Sequence, residues 1–156
     1  MNDEIKQIKI KNLDRLYEYR QQLYKKPVLR DLFLEVTSRC NARCEHCGSS
    51  CGDFIPKDEI SSEDLKKALL DISQHYNAND ILLNVTGGEP LVRKDLFEIM
   101  DYANKLGFRW GMTSNGMLIN GEILKKMNDT NMETISISLD GLKETHESFR
   151  KVPGSF

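Results

Sequence analysis

Apolar and polar positions along the chain follow two different periods, one typical of helices and one typical of strands. Apolar residues at helical spacing predict five helices, at residues 12–26, 61–76, 94–106, 121–127 and 142–150. Short apolar or alternating runs predict four strands, at residues 32–36, 81–85, 108–113 and 134–139. Ser61, with Asp64 three positions later, is a helix-start signal, and Gly107 stands where a helix commonly ends.

Strands and helices alternate from the first predicted strand onward. This order predicts a parallel sheet with the helices as crossovers, an α/β fold. In parallel α/β sheets the chemistry is found at the carboxyl ends of the strands. Here those ends read TSRC, TGGEP, TSNG and SLDG, all rich in glycine, small hydroxyls and polar groups. We expect the four strand ends to lie together around a single site.

Composition narrows the class of protein. The 156 residues are 39% hydrophobic and 29% charged, which is typical of one globular domain. The net charge of −2 offers no basic excess for nucleic-acid binding. No apolar run approaches the roughly 20 residues that span a bilayer, and the charged start MNDEIKQIKIKN lacks the apolar core of a signal peptide. We therefore expect no membrane partner and a cytoplasmic location, where thiols stay reduced.

All the cysteines of the chain stand between Cys40 and Cys51. Such a tight cluster indicates a metal site or an active thiol. The spacing of Cys40, Cys44 and Cys47 is similar to that of iron–sulfur ligands, and three ligands on a four-iron cluster would leave one iron open. Cys51 extends the run to C-x3-C-x2-C-x3-C, so the cysteines alone leave open a closed ferredoxin-type cluster, a structural zinc site and a reactive dithiol.

The second strand ends in VTGGEP, residues 85–90. Its two glycines allow a ligand to approach the backbone closely, and Glu89 has the charge to hold a cationic amine. The alternative is a plain strand-to-helix turn. A ferredoxin-type cluster or a zinc knuckle has no use for such a strand end, which favours the open cluster.

Together these motifs carry a family resemblance. CNARCEHC, followed some forty positions later by TGGEP, resembles the radical S-adenosylmethionine (radical SAM) superfamily. TSNG and SISLDG are similar to the ends of the third and fourth strands of that family's barrel. The ending LDGLKETHESFRKVPGSF resembles the SPASM-type subgroup, which includes peptide maturases and the enzymes that modify pyrroloquinoline quinone and haem. The resemblance covers residues 31–156 and leaves residues 1–30 as an N-terminal helical segment.

The resemblance implies a partial (β/α) radical SAM barrel with parallel strands, in which about four of six βα units are present. Under this interpretation residues 31–156 are a truncated core, without the C-terminal strands and any SPASM domain. The exposed edge of the fourth strand would then allow self-association.

The resemblance also implies the cofactors and their contacts. Three cysteines, Cys40, Cys44 and Cys47, would ligate a 4Fe-4S cluster whose fourth iron binds S-adenosylmethionine. Reductive cleavage would give a 5′-deoxyadenosyl radical that abstracts a substrate hydrogen. The residues expected to contact S-adenosylmethionine are His46, Gly87, Gly88, Glu89, Ser114, Asn115, Ser138 and Arg150.

Several of these side chains have alternatives. His46 would otherwise be a free loop imidazole or a zinc ligand, and the Ser114–Asn115 pair a common turn signal. Arg150 is the candidate for the methionyl carboxylate, against a solvated charge at a helix end. Asp140 is interpreted as a helix N-cap or turn residue.

Other residues are expected to play no part in the site. Cys51 is interpreted as a bystander. His75 and His146 are expected on helix surfaces. Trp110 is expected in the core.

The function predicted from the sequence is therefore that of a radical SAM enzyme. Its substrate is expected to be a peptide or a small molecule, with peptide modification favoured, and its electron donor a flavodoxin- or ferredoxin-type protein. One alternative is a molybdenum-cofactor-type cyclase or another cofactor-biosynthesis enzyme. An alternative of a different class is a non-enzymatic iron–sulfur electron-transfer or structural zinc module that uses all four cysteines. No catalytic residue is assigned.

Overall fold

The computed structural model describes residues 3–49, 51–52 and 59–156. Its helices and strands, in chain order, are α1 (Asp3–Lys25), β1 (Asp31–Glu35), α2 (Ser62–His75), β2 (Leu82–Thr86), α3 (Leu96–Lys105), β3 (Arg109–Ser114), α4 (Gly121–Asp129), β4 (Thr134–Ile137) and α5 (Lys143–Arg150). Short 3-10 turns precede β2 and follow it, at Ala78–Asp80 and Pro90–Val92. Every predicted helix and strand is present, but α1 begins at Asp3 rather than near residue 12.

The four strands form one parallel sheet in the order β1-β2-β3-β4. The register places Leu34 beside Val85, Val85 beside Met112, and Met112 beside Ile135. Sequential order without a reversal is the arrangement of a (β/α) barrel, whereas a doubly wound sheet reverses direction at a switch point. The α/β fold class and the partial parallel barrel are therefore confirmed.

The two faces of the sheet differ in chemistry. On the helix-covered face, Leu83, Val85 and Trp110 have no exposed surface and pack with residues of α2 and α3. Trp110 lies in the core as predicted, and its indole N–H donates to the carbonyl of Thr130 at 2.8 Å. The opposite face carries small polar side chains near the strand ends, such as Thr113.

Local signals in the sequence explain where the helices begin and end. Ser61 caps α2, because its hydroxyl accepts the backbone N–H of Asp64 at 3.1 Å. Asn120 caps α4 in the same way, accepting the N–H of Ile123 at 3.0 Å. After α3 the backbone turns at Gly107, whose φ of +97° is readily adopted only by glycine.

The elements at both ends of the chain are the most exposed. No residue of α1 is buried, and its Tyr24 side chain is 89% exposed. A cation–π contact joins this segment to the start of the sheet, with the Arg30 guanidinium 5.7 Å from the centre of the Tyr19 ring. All four residues of β4 are exposed. Within the part of the chain that the structure describes, no helix has the length and apolar character to cross a membrane.

Candidate active site

A cavity of about 340 Å³ opens at the carboxyl ends of the strands. The segment of residues 38–52, which carries the four cysteines and is here called the cysteine loop, forms one side of this cavity. The expected convergence of the strand ends is thus found for β2, β3 and β4. Most of the predicted site residues line this cavity: Cys40, Cys44, Cys47, His46, Gly87, Gly88, Ser114, Asn115, Ser138 and Arg150. The sequence reasoning missed Ala42, Arg43, Thr86 and Thr113 in the lining and gave no role to Cys51, which also lines it.

The cysteine loop is fastened back onto the segment that follows β1. An isolated parallel bridge pairs Arg39 with Gly52. The N–H of Cys40 donates to the carbonyl of Gly52 at 2.7 Å, and the N–H of Gly52 donates to Ser38 at 3.0 Å. These bonds close the loop at its base and bring Cys51 to the same cavity as Cys40.

The four cysteines are free thiols in this structure. Burial raises the pKa of Cys40, and burial together with the neighbouring Cys47 and Cys40 raises the pKa of Cys51 to about 11. In the described part of the chain, no three His, Cys, Asp or Glu side chains converge as the ligands of a single ion would. A 4Fe-4S cluster needs a different arrangement, because each thiolate binds a separate iron and the thiols surround the cluster rather than meet at one point. Cysteines that line the wall of one cavity are consistent with that arrangement.

Gly87 and Gly88 let the end of β2 pack directly against the start of the cysteine loop. A Cβ atom on Gly87 would lie 2.2 Å from the carbonyl oxygen of Thr37, and one on Gly88 would lie 2.1 Å from that of Arg39. The N–H of Gly88 donates to Thr37 at 2.7 Å. The sequence suggested ligand approach as the reason for these glycines, and the structure adds a close approach of one backbone to another.

Glu89 lies outside the lining of the cavity. Its side chain is buried, and its carboxylate accepts hydrogen bonds from the Ser114 hydroxyl, the Asn115 N–H and the Leu91 N–H. Burial raises the pKa of Glu89, against the lowering effect of these hydrogen bonds. Its contact with a cationic amine stays a prediction, while its observed contacts join the ends of β2 and β3.

The end of β3 is held by side-chain hydrogen bonds. The Ser114 hydroxyl accepts the N–H of Gly116 at 3.0 Å while it donates to Glu89. The Asn115 amide donates to the side-chain oxygen of Asn41 at 2.7 Å. The TSNG motif therefore connects β3 to both β2 and the cysteine loop.

The last part of the chain closes the cavity with charged side chains. Arg150 is 8% exposed, which excludes the alternative of a solvated helix-end charge. Its Nη1 donates to the Sγ of Cys44 at 3.6 Å, and its Nε lies 2.6 Å from Oδ2 of Asp140. The other carboxylate oxygen of Asp140 lies 3.6 Å from Nε2 of His46.

Two expectations for this region need correction. Asp140 lies in the connection between β4 and α5, but it is not the N-cap of α5, because Leu142 holds that position and the Asp140 carboxylate faces Arg150 instead. His146 is buried rather than on a helix surface, and its Nδ1 accepts the N–H of Asp140 at 3.3 Å. The four-residue spacing of His146 and Arg150, which puts them on one face of a helix, is the sequence signal for the buried face of α5. His75 is exposed as expected.

Comparison with known proteins now decides the family. The model of the Radical SAM superfamily matches residues 34–156. The chain belongs to the radical SAM superfamily. The superfamily resemblance drawn from the sequence is confirmed. Members of this superfamily use a 4Fe-4S cluster with S-adenosylmethionine, so the predicted cofactor pair is confirmed for the family.

Two curated relatives with different names are similar to this chain. Fe-coproporphyrin III synthase of Methanosarcina barkeri is 39% identical over 132 residues, which are 85% of this chain and 32% of that protein. GTP 3′,8-cyclase of Staphylococcus carnosus is 36% identical over 123 residues, which are 73% of this chain and 35% of that protein. The chain thus spans about a third of the length of the curated relatives it matches.

A solved structure supports the fold independently. SuiB of Streptococcus suis, bound to its precursor peptide SuiA, superposes with a TM-score of 0.67 over 92% of this chain and 33% of that chain. The sequences are 17% identical, so this likeness shows the fold alone.

Proposed function

We propose that this chain binds a 4Fe-4S cluster through Cys40, Cys44 and Cys47 and binds S-adenosylmethionine beside it, as the cofactor-binding part of a radical SAM enzyme. One observation carries the proposal. The three cysteines line a single cavity together with the glycines that follow β2, the Ser114–Asn115 pair that ends β3, and Ser138 after β4.

Different residues around the cavity would bind different parts of the cluster and of S-adenosylmethionine. The thiolates of the three cysteines hold the cluster, and Gly87 and Gly88 offer backbone at the cavity wall without side chains. The Arg150 guanidinium carries a planar fork of donors that suits the methionyl carboxylate. His46 stands at the rim next to Cys47 and 3.6 Å from Asp140, in place for the adenine side.

Hydroxyl and amide groups supply the remaining polar contacts. Ser114, Asn115 and Ser138 line the cavity with groups that donate and accept hydrogen bonds. We assign Ser114 and Asn115 to the ribose and methionyl part of the ligand and Ser138 to a further polar contact. When bound, the cluster and S-adenosylmethionine supply a carbon-centred radical for hydrogen abstraction from a substrate.

For the substrate, the names of the relatives favour a small molecule, such as a porphyrin or a nucleotide. The 39% identical relative is named Fe-coproporphyrin III synthase, and the 36% identical relative is named GTP 3′,8-cyclase. The peptide-bound structure is 17% identical, which carries the fold but no argument on substrate. Peptide modification stays a prediction, as does a flavodoxin- or ferredoxin-type electron donor.

One observation favours a second candidate function. Cys51 lines the cavity with the other three cysteines, as a closed four-cysteine cluster for electron transfer would require. A closed cluster has no open iron, so it would not respond to S-adenosylmethionine.

The experiment that separates the two functions is electron paramagnetic resonance on the anaerobically reconstituted and reduced chain, with and without S-adenosylmethionine. We expect a 4Fe-4S signal that changes when S-adenosylmethionine is added, together with release of 5′-deoxyadenosine under reducing conditions. A cluster signal that ignores S-adenosylmethionine would overturn the proposal in favour of the closed cluster. Bound zinc in place of iron would favour the structural site.

A further inference from the structure

The end of α5 is fastened to the cysteine loop on both sides of Cys44. The N–H of Glu45 donates to the carbonyl of Phe149 at 2.8 Å, and the N–H of Arg43 donates to the carbonyl of Arg150 at 3.4 Å. The last carbonyls of a helix have no partner within the helix, so these bonds satisfy groups that otherwise need water. The backbone around Cys44 therefore moves with the end of α5.

The Arg150 side chain extends from that helix end to the sulfur of Cys44. Its guanidinium is nearly buried, with Nη1 3.6 Å from the Cys44 sulfur. A buried guanidinium without a counter-charge is strongly unfavourable. The counter-charge is Asp140, whose Oδ2 lies 2.6 Å from Nε of Arg150.

Asp140 is itself held in place from two directions. Its N–H donates to Nδ1 of the buried His146, which fixes the backbone between β4 and α5. Its second carboxylate oxygen lies 3.6 Å from Nε2 of His46, whose ring packs 5.5 Å from that of Phe149. The Asp140 carboxylate thus lies between Arg150, which contacts Cys44, and His46, which precedes Cys47.

Resting on the proposed function, we propose that Asp140 is a positioning residue for S-adenosylmethionine, which holds the Arg150 guanidinium toward the cavity and restrains His46 at its rim. A long arginine side chain loses conformational entropy when it binds a ligand. If Asp140 already holds the guanidinium in one orientation, less entropy is lost on binding and the affinity for the ligand is higher. Asp140 lies on the Nε side of the guanidinium, 2.6 Å from Nε, whereas Nη1 faces the sulfur of Cys44, which lines the cavity. Asp140 does not line the cavity and acts only through these two side chains.

The test is a double-mutant cycle on the reconstituted 156-residue chain, with the dissociation constant of S-adenosylmethionine measured by equilibrium dialysis of the labelled compound. Partners that orient a metal or cofactor ligand typically contribute roughly 10- to 100-fold to affinity, and we expect Asp140→Asn to weaken binding by about that range. Because Asp140 acts through Arg150 and also through His46, we expect the Asp140→Asn/Arg150→Gln double variant to lose clearly less affinity than the two single losses combined. Additive losses in the cycle would overturn the proposal, as would unchanged binding by Asp140→Asn.

A second measurement needs neither cofactor. In the 15N–1H spectrum of the cluster-free chain, the Arg150 Nε–H should exchange slowly with water in the wild type and rapidly in Asp140→Asn. The matched control is Glu133→Gln, which breaks the exposed Arg109–Glu133 ion pair far from the cavity and should leave both Arg150 exchange and S-adenosylmethionine binding unchanged. Unchanged Arg150 exchange in Asp140→Asn would also overturn the proposal.

The outcomes separate this proposal from the proposed function. A wild-type chain that takes up no cluster or no S-adenosylmethionine refutes the proposed function, whereas wild-type binding that Asp140→Asn retains in full refutes only the role of Asp140. If Asp140→Asn fails to fold, the comparison is Asp140→Glu, which keeps the charge, against Asp140→Ala. Equal S-adenosylmethionine binding by those two variants would overturn the proposal.

Discussion

The carboxylate of Glu89 accepts the backbone N–H of Asn115 at 2.7 Å, which joins the carboxyl end of β2 to that of β3. Its other oxygen accepts the Ser114 hydroxyl at 2.9 Å and the N–H of Leu91 at 3.2 Å. Because Glu89 is only 1% exposed, these protein donors replace its hydration. A buried carboxylate thus fixes the distance between two strand ends that border the cavity.

Replacement of Glu89 by Gln should destabilise the fold. The amide places a donor where an oxygen now accepts an N–H, so one of the backbone donors loses its partner. An unsatisfied buried group costs roughly 1–3 kcal/mol, and we expect a loss of that size in urea unfolding of the cluster-free chain. Glu133→Gln is the matched control, since Glu133 lies in an exposed ion pair and such pairs contribute roughly 0–1 kcal/mol. Equal effects of the two substitutions would contradict the structural role of Glu89.

Gly88→Ala tests the close approach between β2 and the cysteine loop. The added Cβ would lie 2.1 Å from the carbonyl oxygen and 2.7 Å from the carbonyl carbon of Arg39, which are backbone atoms that no rotamer change can move. Overpacking of this kind costs typically about 1–3 kcal/mol or more, and the displaced loop should also take up less iron. Thermal unfolding and iron content measure the two effects.

The control for Gly88→Ala is Gly121→Ala at the start of α4. A Cβ there meets no atom within 4 Å. Such a substitution changes only the entropy of the unfolded chain, and stabilises by roughly 0.4–1 kcal/mol. A Gly88→Ala chain as stable as Gly121→Ala would show that the loop is not packed as described.

Much of the fold follows from the sequence because its signals are local. The periodicity of β2 and β3 and the cap residues Ser61 and Asn120 act over a few positions, so the elements appear with bounds that shift by only one or two residues. The early start of α1 was missed because Ile8 and Ile10 alternate with Lys9 and Lys11, a period of two that does not predict a helix.

The part of the site that escaped sequence reasoning depends on distant contacts. Arg150 meets Cys44, which is 106 positions away, and no local pattern reports that pairing. Asp140 was interpreted as an N-cap or turn residue because aspartate before a helix commonly has such a role. Its true partners, Arg150 and His46, become visible only when α5 folds back onto the cysteine loop.

Asp95 should give the stability a dependence on pH. Its hydrogen bond from Arg93, at 2.9 Å from Nε, lowers the pKa of Asp95 and outweighs the effect of partial burial. The folded state therefore favours the carboxylate, relative to an unfolded pKa of about 3.9. Its stabilising contribution is present above about pH 4 and is lost as the pH falls through the lower folded pKa.

The measurement for Asp95 is urea unfolding of the cluster-free chain at several pH values between 2.5 and 6. We expect Asp95→Asn to be less stable than the wild type near pH 6 and to approach it near pH 2.5. Asp129→Asn is the control, because Asp129 pairs with Lys125 on the exposed surface of α4. A constant difference between Asp95→Asn and the wild type across this range would contradict the assignment.

Cys51→Ala distinguishes an open cluster from a closed one. Under the proposed function, three cysteines hold the cluster, so the variant should reconstitute with the wild-type content of iron and sulfide. Its electron paramagnetic resonance signal should still change when S-adenosylmethionine is added. Cys47→Ala is the matched comparison in the same cavity, and it should lose most of the bound iron because a ligand is removed.

Loss of the cluster in Cys51→Ala would support the closed four-cysteine cluster instead. If Cys51→Ala loses the cluster as completely as Cys47→Ala, all four thiolates are ligands and the iron that S-adenosylmethionine requires is occupied. The position of Cys51 makes this a sharp test, since its thiol lines the same cavity and its backbone neighbour Gly52 pairs with Arg39 and Cys40. Proximity to the cluster is therefore the same under both functions, and only the count of thiolates that bind iron differs between them.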